Sequence, residues 1–240
     1  AKSQLTGLVA AGLVLAMLVL LPGLVQWLPL SVLAAIIIVA GISLLDGPGI
    51  KRLWQVRRSE FASAACCFLG VVLVGVLEGI VIAVIVSIGQ IFARAWRPYS
   101  AVLGKPEGVP GYHDITRYPD ARQLPGLVIV RWDAPLFFAN SMIFRNRVRE
   151  LVAQADPPVY WVVVAAEPIT DIDTTAADML VKLDEELNAD GRHLVFAELK
   201  DPVRDALARY SIYDTIDPDH FYPTIKAAVR AFRDEYQPPS

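Results

Sequence analysis

Cysteine is nearly absent. Of 240 residues only Cys66 and Cys67 carry a thiol, and they are adjacent inside an apolar run. A disulfide framework is therefore excluded, neither thiol has the spaced partners of a zinc site, and both read as small buried hydrophobes. Histidine is scarce too: His113, His193 and His220 stand apart, with no carboxylate or thiol at metal-ligand spacing. The chain has no GxxxxGK(S/T) phosphate loop, no GxGxxG, no GxSxG elbow and no paired general acid and base. These absences argue against an enzyme and against a resident metal or cofactor. Basic residues are outnumbered, 22 Lys and Arg against 25 Asp and Glu, so there is no excess with which to neutralise phosphates and nucleic acid is not an expected partner.

Charge itself is missing from long stretches of the first hundred residues. Residues 1–100 hold seven basic and three acidic side chains, a net of +4, and the remainder is net −7. With 55% hydrophobic residues and a mean hydropathy of +0.44, the chain reads as two segments suited to two solvents. A bilayer core accepts about 20 apolar residues per helix, within ~17–25. Four stretches qualify, at about 5–21, 28–45, 61–77 and 79–95, so a lipid bilayer is the expected partner of residues 1–97. The first stretch also has the length of a secretory signal, but no basic cluster precedes it and further apolar runs follow. The chain opens on Ala1, and a fragment of a longer protein is expected.

A single helix over 61–96 would be about 54 Å long, nearly twice the hydrocarbon thickness, so a reversal is expected near Gly75 to Gly79. Glu78 falls at that turn, where its carboxylate suits the next helix's N-terminus near the outer interface; an intramembrane functional carboxylate is the alternative. Along the fourth stretch Gly79, Ala83 and Ser87 recur every four residues, a stripe of small side chains that lets a neighbouring helix approach. Orientation follows from the basic residues. "KRLWQVRR" (51–58) lies between the second and third stretches, "RAWR" (94–97) follows the fourth, and "PGLVQW" (22–27) is uncharged. Basic loops stay inside, which places Lys2, the 51–58 loop and everything after Arg97 in the cytoplasm.

Beyond Pro98 the pattern changes. A Gly- and Pro-rich segment over 98–122 reads as a linker and the start of a soluble domain that occupies 123–236. "LVIVRW" (127–132), "VYWVVVAA" (159–166) and "HLVFAEL" (193–199) have the β-branched and aromatic content of strands. Helical spacing alternates with them: Phe144, Val148, Leu151, Val152 and Ala155, with Asn140 and Ser141 as cap; Met179, Leu180, Leu183 and Leu187; Val203, Ala206, Leu207 and Tyr210; Ile225, Ala228, Val229 and Phe232. The expected fold class is therefore multi-domain, an α-helical transmembrane segment followed by an α/β sheet covered by helices. Arg145, Arg147 and Arg149 read as a solvated helix surface, because alternate residues do not share a face.

"DIDTTAADML" (171–180) leaves a strand and enters a helix. Asp173 and the threonines suit unpaired helix N–H groups, and Thr175 with Asp178 fits the S/T-x-x-D/E capping pattern, with Asp171 alongside. Capping alone accounts for this stretch; a functional reading rests on resemblance. An acid followed by a hydroxyl at such a turn, in an α/β domain of this size, resembles the STAS domain of sulfate transporters and anti-sigma-factor antagonists. In the bacterial antagonists the turn carries a phosphorylatable serine after an aspartate. Asp173 and Thr174 match it, with threonine for serine, and Ala176 stands where those proteins have glycine. "AKSQLTGLVA", "LPLSVLAAIIIVAG", "FLGVVLVGVLEGI" and "RPYSAVLG" resemble the C-terminal part of SulP/SLC26 anion transporters, in the family's order.

The resemblance implies fourteen membrane helices in two inverted repeats, a cytoplasmic STAS domain and a homodimer that exchanges or co-transports anions such as sulfate, bicarbonate or dicarboxylates without a cofactor. The four stretches here match the last four helices, the first in the substrate-carrying core and three in the gate. The family's anion site lies on earlier helices, so no residue of this chain is assigned as a substrate ligand. Thr174 is the candidate phosphorylation site, and the domain a candidate docking point for a cytoplasmic protein. A membrane-tethered STAS interaction module without transport is the competing reading.

Overall fold

The computed structural model describes residues 4–20, 29–210, 212, 216 and 218–236; Lys2 and the 22–27 connection lie outside them. The chain divides into two compact units, 1–83 and 84–240, with the division inside a helix.

The first unit is helical: α1 (Gln4–Leu20), α2 (Leu30–Ser43), α3 (Gly47–Val56), α4 (Arg58–Leu73) and the first part of α5 (Val76–Trp96). Their interiors are built from Leu, Ala, Val and Ile, and α2 follows Pro29, whose ring suits a helix start and no other helical position. None of the residues of α2 is buried. The basic segment 51–58, expected as a loop, is instead mostly helix. Asp46 accepts a hydrogen bond from the Gly49 amide at 3.0 Å, Pro48 sits in the first turn, and α3 continues from α2 across a 44° bend. Trp54 of α3 meets Phe61 of α4 edge to face at 4.8 Å.

The reversal between the third and fourth stretches is at Gly75, whose φ of +150° suits glycine alone. Gly70 and Gly79 then meet across the hairpin: a Cβ on Gly79 would fall 2.3 Å from the Val71 nitrogen. Cys66 and Cys67 are free and half-buried, less enclosed than their composition suggests. By length and composition one described helix, α5, is able to cross a membrane alone, and α2 with α3 passes as a bent pair.

In the second unit α5 leads through three residues into β1 (Ser100–Gly104), then β2 (His113–Asp114), β3 (Leu127–Trp132), α6 (Ser141–Gln154), β4 (Trp161–Ala165), α7 (Thr174–Ala189), β5 (His193–Ala197), α8 (Asp201–Arg209), β6 (Phe221–Tyr222) and α9 (Ile225–Glu235). The sheet order is β2-β1-β3-β4-β5-β6; β1 is antiparallel to β2 and β3, and β3 to β6 run parallel. Segment 98–122 is thus not only linker, since it supplies two strands. Alternation along the strands makes two cores. Val128, Val130, Val162, Val164, Leu194 and Phe196 pack with α6, α7 and α8, and Leu127, Ile129, Trp161, Val163 and Val195 pack under α9. Valine-rich central strands buried on both faces explain why "WVVVA" shows no polar alternation.

Candidate functional site

The parallel strands β3 and β4 deliver two loops to one end of the sheet, where 133–140 and 166–173 lie side by side. They join through a bridge between Leu136 and Ile172: the Leu136 amide donates to the Asp171 carbonyl at 3.0 Å, and the Asp173 amide to the Leu136 carbonyl at 3.3 Å. Asp173 is the N-cap of α7. Its Oδ1 accepts from the Ala176 amide and its Oδ2 from the Phe138 amide, both at 2.8 Å, so one carboxylate ties the helix to the neighbouring loop. The helix begins at Thr174, two residues ahead of the start that a Thr175–Asp178 cap requires, because Asp173 reaches the amide first. Thr174, Thr175, Asp171 and Asp178 are exposed, and the Asp171 Oδ1 accepts from the Ile172 amide.

Asn140 continues the connection. It is fully buried, yet its side chain does not cap α6, as "NS" at 140–141 suggests. Its Oδ1 accepts from the Phe137 amide at 2.9 Å, while Nδ2 donates to the carbonyls of Pro135 at 2.9 Å and Ala95 at 3.0 Å. The Phe92 ring of α5 meets Phe137 edge to face, centroids 6.3 Å apart. A run of direct contacts thus links exposed Thr174, through Asp173, Phe138, Phe137 and Asn140, to the last turn of α5. Asp173 was legible as a cap; Asn140 was not, because its third partner lies 45 residues upstream.

The other singled-out residues lie elsewhere. In α5, Gly79 is buried, Ala83 half-buried and Ser87 exposed, and the enclosed face continues through Val86 and Gln90. Glu78 is in the first turn of α5, beside Gly75. Arg145 and Arg149, one helical turn apart, share Glu186 of α7, while Arg147 pairs with Glu150, so two of the three arginines do face one partner. His193 and His220 do not stand alone: their rings are 5.1 Å apart beside Trp161. No cluster of His, Cys, Asp and Glu able to hold a metal occurs among the described residues.

The geometry agrees with the comparisons. The family model of the STAS domain matches residues 118–228, and that of the sulfate permease family matches 1–67. The chain belongs to the sulfate permease (SulP/SLC26) family. A probable sulfate transporter of Mycobacterium tuberculosis is 39% identical over 232 residues, 97% of this chain and 41% of that protein. High affinity sulfate transporter 2 of Stylosanthes hamata is 30% identical over 239 residues, 96% of this chain and 36% of that protein. This SulP chain therefore spans about two fifths of the length of the curated relatives it matches. Among solved structures, the inward-facing murine Solute Carrier 26 family member A9 anion transporter superposes with a TM-score of 0.80 at 22% identity, over 98% of this chain and 38% of that one. That likeness shows the fold: a helical region followed by a STAS domain.

Proposed function

We propose that this chain is the C-terminal portion of a secondary active anion transporter, with sulfate as the anion, and that its STAS domain is cytoplasmic and regulatory. The supporting observation is similarity to sulfate transporters over 97% of the chain, continuous across the apolar helices and the STAS domain. In this reading residues 1–97 form four membrane spans, α2 and α3 making one bent element, and the protein works as a homodimer. The transported anion is held by helices outside this chain. What these residues contribute is the moving boundary of the site and, through Asn140, a hydrogen bond from the STAS domain to the last turn of α5.

Thr174 belongs to the same reading as a phosphorylation site. Its hydroxyl is exposed at the first residue of α7, where the helix N-terminus favours an added phosphate and the neighbouring Asp171 and Asp173 oppose it. A phosphate there acts on the turn that Asp173 ties to the 133–140 loop. Phosphoproteomics of the native host, at high coverage of the peptide, is expected to find it, and sustained absence removes this part of the proposal.

Proteoliposomes holding the longer polypeptide that contains this chain are expected to take up labelled sulfate saturably, with bicarbonate and dicarboxylates as competitors to rank. The 240-residue chain alone is expected to move nothing. No uptake of any of the three anions by the longer protein, or saturable uptake by this chain alone, overturns the assignment.

A further inference from the structure

A cavity of about 760 Å³ opens in the STAS domain between the β1–β2 connection, residues 122–124 and the last turn of α9. It sits at the end of β1 remote from α5, away from the Asp173–Asn140 link. The volume is that of a small-molecule site, ~300–1,000 Å³. Its floor is apolar, from the buried Leu127 and Ile129, and its rim carries Lys105, Arg122, Arg233 and Tyr112 against one carboxylate, Glu107.

The cations are placed at a cost. Lys105 and Arg122 form an isolated antiparallel bridge and exchange two backbone hydrogen bonds of 2.9 Å. Residues paired this way stand directly opposite with their side chains on one face, where like charges repel. Glu107 pairs with Arg122 in an exposed, screened position, which offsets one charge only. No ion pair joins Lys105 or Arg233 to any described residue. Arg233 also acts electrostatically on Tyr112, whose phenol is pushed up by burial and drawn down by the guanidinium. Three cations and a phenol thus converge over an apolar floor with one counter-charge, an arrangement that packing within the domain does not require and that a local rule of strand pairing disfavours.

We propose that this cavity binds a small organic anion, a carboxylate or phosphate group on an apolar body, as a ligand of the STAS domain. The anionic group lies among Lys105, Arg122 and Arg233, Tyr112 donates its hydroxyl to it, and the apolar body covers Leu127 and Ile129. An inorganic oxyanion satisfies the cations and leaves the floor wet, so the site discriminates for the organic part. The inference stands apart from transport, since it concerns only the STAS domain.

The test is ligand-observed fluorine NMR on the full 240-residue chain in lipid nanodiscs, with 4-fluorophenyl phosphate and 4-fluorobenzoate as probes. At least one probe is expected to bind saturably. The double variant Lys105→Gln with Arg233→Gln is expected to weaken it by about tenfold or more, the scale of lost charge-assisted hydrogen bonds. Glu107→Gln frees Arg122 and is expected to tighten binding, a gain that misfolding does not produce. Binding by neither probe, no change in the double variant, weaker binding in Glu107→Gln, or displacement by inorganic phosphate as effective as by unlabelled phenyl phosphate each overturns the proposal.

Discussion

"AIIIV" at 35–39 and "WVVVA" at 161–165 are nearly the same composition put to opposite uses. In α2 the side chains of Ile36, Ile37 and Ile38 are 57–71% exposed, whereas Val162, Val163 and Val164 in β4 are fully buried. The helix satisfies every interior backbone group within itself and turns its apolar side chains outward; the strand needs neighbours for its backbone and finds its covering layers, the helices on both faces, within the same domain. The helical unit therefore depends on lipid, or on protein outside this chain, to cover surface that water cannot favourably contact. The STAS domain carries its own core.

The sharpest test of that contrast puts the same charge in both runs. Val163→Asp places a carboxylate between β3 and β5 under α9 with no partner, and is expected to destabilise the STAS domain by more than about 4 kcal/mol, enough to unfold it. Ile37→Asp is expected to leave the domain's thermal unfolding unchanged, read from the fluorescence of Trp132 and Trp161, while costing about 2.5–3.5 kcal/mol on membrane insertion, read by flotation with vesicles. If Ile37→Asp unfolds the STAS domain, or inserts as well as the parent, the two regions are not solvated as described.

Within the helical unit, backbone proximity replaces hydrophobic burial as the source of fit. A side chain on Gly79 would meet the backbone of Val71 at 2.3–2.6 Å, atoms that cannot rotate away. Gly79→Val is expected to cost about 1–3 kcal/mol and to lower the thermal midpoint in detergent, and Ser87→Val, at an exposed position of α5, is expected to leave it unchanged. Equal effects at the two positions count against the Gly70–Gly79 approach as the packing seam.

Asn140 connects α5 to the STAS domain, and its removal leaves the Ala95 and Pro135 carbonyls and the Phe137 amide without their partner. Asn140→Ala is expected to destabilise by about 1–3 kcal/mol and to speed amide exchange in 135–140 and in the last turn of α5. Faster exchange in 135–140 alone would mean that Asn140 shapes its loop without holding α5.

Local pattern made much of the fold readable. The strands expected at 127–132, 159–166 and 193–199 appear as β3, β4 and β5, and the four helical stripes appear as α6 to α9, because each carries its period within itself. What escaped was non-local or short. "SAVLG" is five residues beside a Gly- and Pro-rich run, and it becomes β1 only by pairing with β3, some 30 residues downstream. The basic 51–58 segment reads as a loop, yet Asp46 captures the Gly49 amide and starts α3 at Gly47, which carries helix through to Val56. At the candidate site the cap Asp173 was legible and its second bond, to the Phe138 amide 35 residues upstream, was not. His193 and His220 meet only because β6 pairs with β5.

The junction where the two regions meet yields the smallest and most localised effect. Tyr99, between α5 and β1, donates its hydroxyl to Asp114 of β2; Thr116 adds its amide at 2.8 Å and its hydroxyl at 2.7 Å to the other carboxylate oxygen. Together these bonds, with the Tyr99 hydroxyl foremost, hold the Asp114 carboxyl below its ordinary value of 3.8. A carboxyl depressed in the folded state binds its proton more readily when unfolded, so its stabilisation is present above 3.8 and is lost as pH falls through the depressed folded value. Tyr99→Phe removes the largest cause and is expected to raise the Asp114 pKa, read by carboxyl-carbon NMR, and to lower the stability of the STAS domain at neutral pH, a loss that fades as pH falls through the folded value of Asp114. Thr116→Val removes one of the remaining donors and is expected to shift the same titration less. If Thr116→Val moves Asp114 further than Tyr99→Phe, the carboxylate is tuned from within the STAS domain and the tyrosine that follows α5 is a bystander.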